Sequence, residues 1–229
     1  MISQREFRTR LTRRAKKAGL AVPAGLATHL WSYFELLLRW NRKINLTAFD
    51  ESSPDQALDR LLIEPLQAAR HVMGGGKRII DIGSGGGSPA IPLKLALAGS
   101  TLVMVEPKAR KSAFLREAVR VLGLTDTQVE SARFEELLAR PELHEVLDIL
   151  TIRAVTVERK TLVGLQAFLR PGGRMLLFHG TTGSDTVGDI PPPLTLEAIH
   201  PLNPDSPGNR LVILTKRVPR GTMMLDGAP

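Results

Sequence analysis

Cysteine is absent from the 229 residues, which removes disulfides, thiolate nucleophiles and every zinc site that depends on sulfur. The five histidines are scattered without paired ligand spacing, so no metal is expected. No apolar run of about eighteen residues occurs, and the opening MISQREFRTRLTRRAKKAG lacks the apolar middle of a secretory signal. The expectation is a soluble, cytoplasmic protein without a membrane-spanning segment. Acids are scarce at one end: residues 1–48 hold Glu6 and Glu35 against ten Lys and Arg, so the whole formal charge of +8 lies there and the remainder sums to zero. An excess confined to one end reads as an electrostatic footprint for a polyanion, nucleic acid first and an anionic membrane surface second, or as a basic tail that only aids solubility.

What is present has a clear order. Leu26, Leu30, Tyr33 or Phe34, Leu37 and Trp40 recur three or four apart, which predicts an amphipathic helix over 24–44. A second apolar-periodic segment runs from about Ala57 to Val72 and is closed by three glycines at 74–76. Residues 1–76 are therefore expected to form a basic arm and a helical cap. From Lys77 strand-like and helix-like segments alternate (RIIDI, PAIPLKLALA, TLVMVE, RKSAFLREAVRVLG, and so on), which predicts βαβ units and a mostly parallel α/β sheet over 77–217. LTLEAIHPL and RLVILTKR, with only a turn-rich NPDSPGN between them, predict an antiparallel finish. The Gly/Pro-rich 180–194 reads as a long mobile loop and 218–229 as a flexible tail.

The stretch RIIDIGSGGGSPAIPLK, residues 78–94, carries the chemistry. A strand ending in Asp81 turns into a helix through Gly83, Gly85 and Gly87, where positive φ costs little and backbone amides can approach a ligand. Ser88 reads as the helix N-cap and Pro89 as its first residue, with Pro92 distorting the first turn. A dinucleotide G-x-G-x-x-G fits poorly, since it would need glycine at Ser88 or start five residues late. The acidic-x-Gly-x-Gly-x-Gly run matches better the turn of S-adenosylmethionine methyltransferases, in which Asp81 is placed to meet the ligand's ammonium; a dinucleotide turn and a purely structural turn stay open. Glu106, at the end of the second strand, suits a pair of ribose hydroxyls in either cofactor. LRPGGRMLLF at 169–178 reads as a helix stopping at Pro-Gly-Gly before an apolar strand, common late in methyltransferase domains.

With WNRKINLTA, DIGSGGGSPAIPL, VEPKARKSAFLREAV, ARFEEL and IRAV in this order, the chain resembles the guanine-N7 methyltransferases of bacterial small-subunit ribosomal RNA, also called glucose-inhibited division protein B, over about residues 24–216. The resemblance implies a class I, Rossmann-like methyltransferase fold, S-adenosylmethionine as cofactor, and as partner the 16S rRNA or small ribosomal subunit, with a decoding-region guanine as acceptor. By position it carries Gly83 and Ser88 to the cofactor turn, Phe134 and Glu135 to a contact near the adenine, and Arg153 to the arginine of a Ser-Arg-Ala signature. Guanine N7 has an exposed lone pair, so in-line attack on the methyl requires no general base. Arg153 and Asn45 are the candidate catalytic residues, and Asn41, Lys43 and Thr47 are candidates for contacting RNA or bracing the pocket. The chain departs from the family pattern at Ser88 and Ala90, which replace Leu and Gly, at His179, and in RLLIEPL, where Leu61, Glu64 and Pro65 replace His, Asp and Ser. A paralogue acting on another RNA or a small molecule, a dinucleotide-binding oxidoreductase, and a non-catalytic RNA-binding relic are the alternatives.

Overall fold

The computed structural model describes residues 2–47, 53–72, 74–153, 157–180, 189–203, 205 and 208–218. The tail expected beyond 218 and the centre of the loop expected over 180–194 lie outside them. Seven strands form one sheet in the order β3-β2-β1-β4-β5-β7-β6: β1 Arg78–Ile82, β2 Thr101–Val105, β3 Thr127–Glu130, β4 Leu147–Arg153, β5 Leu169–His179, β6 Leu194–Pro201 and β7 Arg210–Lys216. The first five pair in parallel, while β7 runs antiparallel between β5 and β6. The alternation of helix-like and strand-like segments foretold the parallel part, and the helix-free hairpin foretold the antiparallel finish.

Side-chain alternation along the strands divides the core in two. Ile79, Ile149, Leu176 and Phe178 join one apolar cluster, whereas Ile80, Leu150, Ile152 and Leu177 join the cluster on the opposite face. The first cluster also takes in Leu30, Phe34 and Leu37 of α2 (Ala24–Asn41), so the N-terminal helices share a core with the sheet. They roof the face from which Asp81, Thr151 and Arg153 project, each being an even number of residues from Ile79 or Ile149.

One element was left undefined by the sequence, and one expectation needs correction. The basic arm contains a helix, α1 (Gln4–Lys17), capped by Ser3, whose hydroxyl accepts from the Glu6 amide at 3.2 Å. Phe7, Leu11 and Ala15, spaced four apart, bury one face of it. Phe7 meets the rings of Trp31 and Phe34 at centroid distances of 5.1 and 5.3 Å; burying Phe7 and Leu11 contributes about 1.5–3 kcal/mol each. The helix expected to end at Pro-Gly-Gly stops earlier: α8 (Arg159–Leu165) gives way to a tight turn over Gln166–Phe168, and the Pro-Gly-Gly lies inside β5. Gly173 is required there, because a Cβ would sit 2.9 Å from the carbonyl oxygens of both Arg170 and Leu147. Between α2 and β1 the chain forms α3 (Pro54–Leu58), a π turn over Asp59–Ile63 and α4 (Glu64–Ala69). The remaining helices are α5 (Ala90–Ala96), α6 (Ala109–Leu122) and α7 (Phe134–Leu137).

Candidate active site

β1 delivers the chain to the carboxyl edge of the sheet, where Gly83, Gly85 and Gly87 take φ of 72, 51 and 83°. The amides of Gly83 and Ser84 donate to the Val105 carbonyl at 2.9 and 3.1 Å, tying the turn to β2. A side chain at Gly87 would be strained by its φ of 83° and would press on Ile91, whose Cδ1 and Cγ1 lie 2.6 and 3.2 Å from where a Cβ would stand. Glu106 is buried behind the turn: Oε2 accepts from the Gly85 amide and Oε1 from the Lys108 amide, both at 2.9 Å. The roof is equally specific. Tyr33, wholly buried with its hydroxyl pKa driven up by desolvation, donates to the Gly86 carbonyl at 2.7 Å. Asn41 Oδ1 accepts from the Leu46 and Thr47 amides at 2.8 and 3.0 Å, folding the segment after α2 down over the glycines.

Ser88 is not the N-cap expected from the sequence. α5 begins at Ala90 with Pro89 in the cap position, and the Ile91 amide is already taken by the Gly87 carbonyl at 2.7 Å, leaving a serine cap little to accept from. Pro92 is then the third helical residue, where an amide has no intrahelical partner to lose. The Ser88 hydroxyl instead donates to the Leu61 carbonyl at 2.9 Å. The π turn explains why that carbonyl is available. The Glu64 amide bonds back to Asp59, one residue further than in an α-helix. Residue 65 would serve Leu61 in an α ladder and Arg60 in an i to i+5 step, and proline has no N–H to give. Both carbonyls receive donors from across the site: Leu61 from Ser88, Arg60 from Arg153 Nη1.

Ser88 thus supplies what Pro65 withholds. Ser88→Ala is expected to cost about 1–3 kcal/mol, the penalty of a carbonyl left without its donor. The cost should shrink in a Pro65→Ala background, where an amide returns. Urea denaturation of the four proteins measures the coupling; equal costs in both backgrounds would refute it.

Asp81 and Thr151 face each other across the β1–β4 pair, and the Thr151 hydroxyl donates to Asp81 Oδ1. Asp81 is 1% exposed. Burial raises its pKa to about 6, against the lowering effect of Thr151 and the Arg153 charge. Its Oδ2 has no hydrogen-bond partner. Two residues on, Arg153 ends β4 with its side chain 9% exposed, ion-paired to Glu64 at 3.0 Å and stacked 4.5 Å from the Phe178 ring centre. Burial pulls its pKa down and the Glu64 carboxylate opposes this. Arg153 Nε and Nη2, the side-on edge that takes a bidentate acceptor, are buried without partners. Glu64, the acid facing this arginine, also accepts from Asn209 Nδ2 at 2.7 Å.

These elements enclose a cavity of about 260 Å³ lined by Leu46, Thr47, Arg60, Leu61, residues 83–86, Ser88, Lys111 and Arg153. Of the residues singled out from the sequence, Gly83, Gly85, Ser88 and Arg153 line it, and Asp81, Glu106 and Gly87 form its buried backing. Phe134 and Glu135 stand apart at the start of α7, Phe134 partly buried towards Gly164 and Glu135 exposed. Asn45 is exposed and outside the lining, although its neighbours Leu46 and Thr47 belong to it. Thr47, a candidate for bracing the pocket, lines it too, as do Arg60 and Leu61 of the RLLIEPL segment, whose departure from the expected pattern marked it; Leu46 and Ser84 were not foreseen. Among the described residues no group of His, Cys, Asp or Glu is arranged to hold a metal ion, and no helix is long and apolar enough to cross a membrane.

An antiparallel strand inserted before the sheet edge separates this topology from the dinucleotide-binding order, in which the sixth strand follows the fifth. Together with the glycine turn after β1 and the acid ending β2, it defines a class I S-adenosylmethionine-dependent methyltransferase. The orphaned Asp81 Oδ2 and Arg153 edge fit that cofactor's ammonium and carboxylate, and the bare glycines leave its approach clear. The chain belongs to the GidB family, rRNA small subunit methyltransferase G, whose model matches residues 27–203. It is 36% identical over 192 residues to the ribosomal RNA small subunit methyltransferase G of Xylella fastidiosa, covering 82% of this chain and 86% of that one. To the protein of the same description from Xanthomonas axonopodis pv. citri it is 33% identical over 202 residues, covering 86% and 90%. Similar solved structures include a SAM-dependent methyltransferase from Aquifex aeolicus (TM-score 0.52, 13% identity, 75% of this chain and 100% of that one). Another is a Klebsiella pneumoniae protein assigned as an O-methyltransferase (TM-score 0.60, 15% identity, 94% and 99%). At such identities they speak for the fold alone.

Proposed function

We propose that this protein transfers the methyl group of S-adenosylmethionine to N7 of a guanine in the decoding-region loop of 16S rRNA, in the cytoplasm. The observation that carries the reading is Arg153, which lines a cavity floored by the glycine turn and keeps Nε and Nη2, a bidentate donor edge, buried without partners. The cofactor, when bound, supplies an electrophilic methyl on a sulfonium. Arg153 Nε and Nη2 hold its carboxylate, Asp81 Oδ2 its ammonium, and Glu106, which keeps lone pairs beyond those given to two amides, its ribose hydroxyls. Gly83, Gly85 and Gly87 let the backbone approach, Ser88 fixes the wall opposite, and Phe134 and Glu135 serve the adenine end. Asn45 meets the acceptor from the segment over the cavity. A neutral guanine presents N7 with its lone pair free, so the site needs no proton acceptor. Its residues orient the two reactants, and alignment of this kind lowers a barrier by up to about 7–11 kcal/mol. Residues 1–76 act as a cap on a catalytic domain over 77–217.

Incubation with labelled cofactor and undermodified small subunits, followed by mapping of the labelled nucleotide, tests the reading. Label at a single guanine N7 is expected. No label in any RNA defeats the proposal.

A further inference from the structure

We infer that the RNA backbone is held by a cationic collar around the cavity mouth, built from Arg60, Lys111, Lys43, Lys108 and Arg110, and not by the basic helix α1. The inference rests on the proposed function and identifies the surface that serves it. The sequence points to residues 1–48, where α1 holds seven of the ten basic residues, with the cations after Glu106, among them Lys108, Arg110 and Lys111, as a solvated face or an extension of that footprint. The structure shows how many of those charges are already engaged. Arg10 pairs with Glu6 at 2.8 Å and Asp55 at 2.7 Å, Arg13 with Asp55, Arg14 with Asp59 and with Asp205 at 2.9 Å, and Lys17 with Asp205. Arg14, only 13% exposed, reaches the π turn whose carbonyls face the cavity, and Asn203 Nδ2 donates to the same Asp59 carboxylate at 2.9 Å. Four of the seven cations thus have their charge offset by carboxylates, and Arg14 ties α1 to the π turn. Arg5, Arg8 and Lys16 remain exposed.

The cations at the cavity have the opposite character. Arg60 and Lys111 line it, and no carboxylate does. Lys111 Nζ lies 3.4 Å from the Leu46 carbonyl oxygen and 3.9 Å from where a Cβ on Gly85 would stand. Lys108 and Arg110 are exposed around the first turn of α6, and Lys43 is exposed just past α2. The two elements meet there, with Trp40 and Phe114 ring centres 5.8 Å apart. Among the described residues none of these five side chains has a carboxylate partner, whereas Arg120, further along α6, is paired with Glu117.

Charge balance indicates what the collar is for. S-adenosylmethionine brings one carboxylate against an ammonium and a sulfonium, and the Arg153 edge suffices for that carboxylate. A guanine base is neutral. Arg60 and Lys111 therefore have no anion to meet from the cofactor or the base, and phosphodiesters flanking the acceptor nucleotide supply one.

The test is the salt dependence of binding to undermodified small-subunit RNA, measured by filter binding between about 50 and 200 mM salt. The triple variant Lys43→Ala, Lys108→Ala, Arg110→Ala should lower the slope of log K against log salt by about 2–3, roughly 0.7–0.9 for each phosphate no longer neutralised. The triple variant Arg5→Ala, Arg8→Ala, Lys16→Ala should leave the slope and methyl transfer as in the natural protein. Calorimetric titration with S-adenosylmethionine checks that each variant retains a folded site. An unchanged slope in the collar variant, or an equal fall in the α1 variant, overturns the inference. If the natural protein methylates RNA while the collar slope is unchanged, this inference alone fails; if it methylates no RNA, the functional reading fails first.

Discussion

Arg153→Ala is expected to destabilise the protein by about 3–5 kcal/mol and to abolish measurable cofactor binding, because it strands a buried carboxylate. Glu64 is 4% exposed on its side chain, and without the guanidinium its remaining hydrogen-bonding neighbour is Asn209. The stability loss alone would not separate a binding role from a structural one. The double variant Arg153→Met, Glu64→Leu does so, since replacing both members of a buried pair by apolar residues of similar volume is near neutral or stabilising. It should recover most of the urea stability while cofactor affinity stays at least about 10- to 100-fold down, the range for one lost charge-assisted hydrogen bond of about 1.5–3 kcal/mol. Wild-type affinity in the stable double variant would make Arg153 a fold residue only.

The sheet was legible because its signals are local. Strand runs such as RIIDI end in a turn that glycine alone adopts at low cost, and the missing helix before RLVILTKR leaves an antiparallel pairing as the simple solution. The helix α1 was hidden by its charge: three apolar residues at spacing four stand among seven cations, and its partners Asp55, Asp59 and Asp205 are about 40 to 190 positions away. The footprint drawn from charge alone failed to separate paired cations from unpaired ones for the same reason. At the site, the spacing of the turn brought out Gly83, Gly85 and Glu106, and the resemblance brought out Arg153; the structure places all four at or behind one cavity. Arg60, besides its charge, and Leu61 contribute carbonyls exposed by a π turn, and hydropathy periodicity does not register a change of hydrogen-bond ladder. Ser88 was misread because serine before Pro89 has the composition of a helix start, while Gly87 already serves the amide that a cap would take.

Asp81→Asn should alter the pH dependence of stability and that of cofactor binding in opposite senses. A carboxyl whose folded pKa is about 6, against an ordinary 3.8, is held as the acid more firmly in the folded protein than in the unfolded chain. Its stabilising contribution is complete below about pH 4 and is lost as pH rises through about 6, amounting to roughly 3 kcal/mol by neutrality. Asparagine has no such charge to bury and still offers an oxygen to the Thr151 hydroxyl. Without cofactor, the variant should therefore be less disadvantaged relative to the natural protein at about pH 7.5 than at about pH 5. The difference between the two proteins is the quantity to compare, because Asp55 and Asp148, whose pKa values are lowered, impose the reverse trend on both. Cofactor affinity should respond with the other sign. In the natural protein it should rise with pH through about 6, as Asp81 ionises to meet the ammonium, and the variant should lose that rise and bind about 10- to 100-fold more weakly at neutrality. Urea denaturation without ligand and calorimetric titration with S-adenosylmethionine, at both pH values, decide it. Parallel stability profiles would show that Asp81 does not change protonation on folding, and an unaltered affinity profile would remove it from the cofactor site.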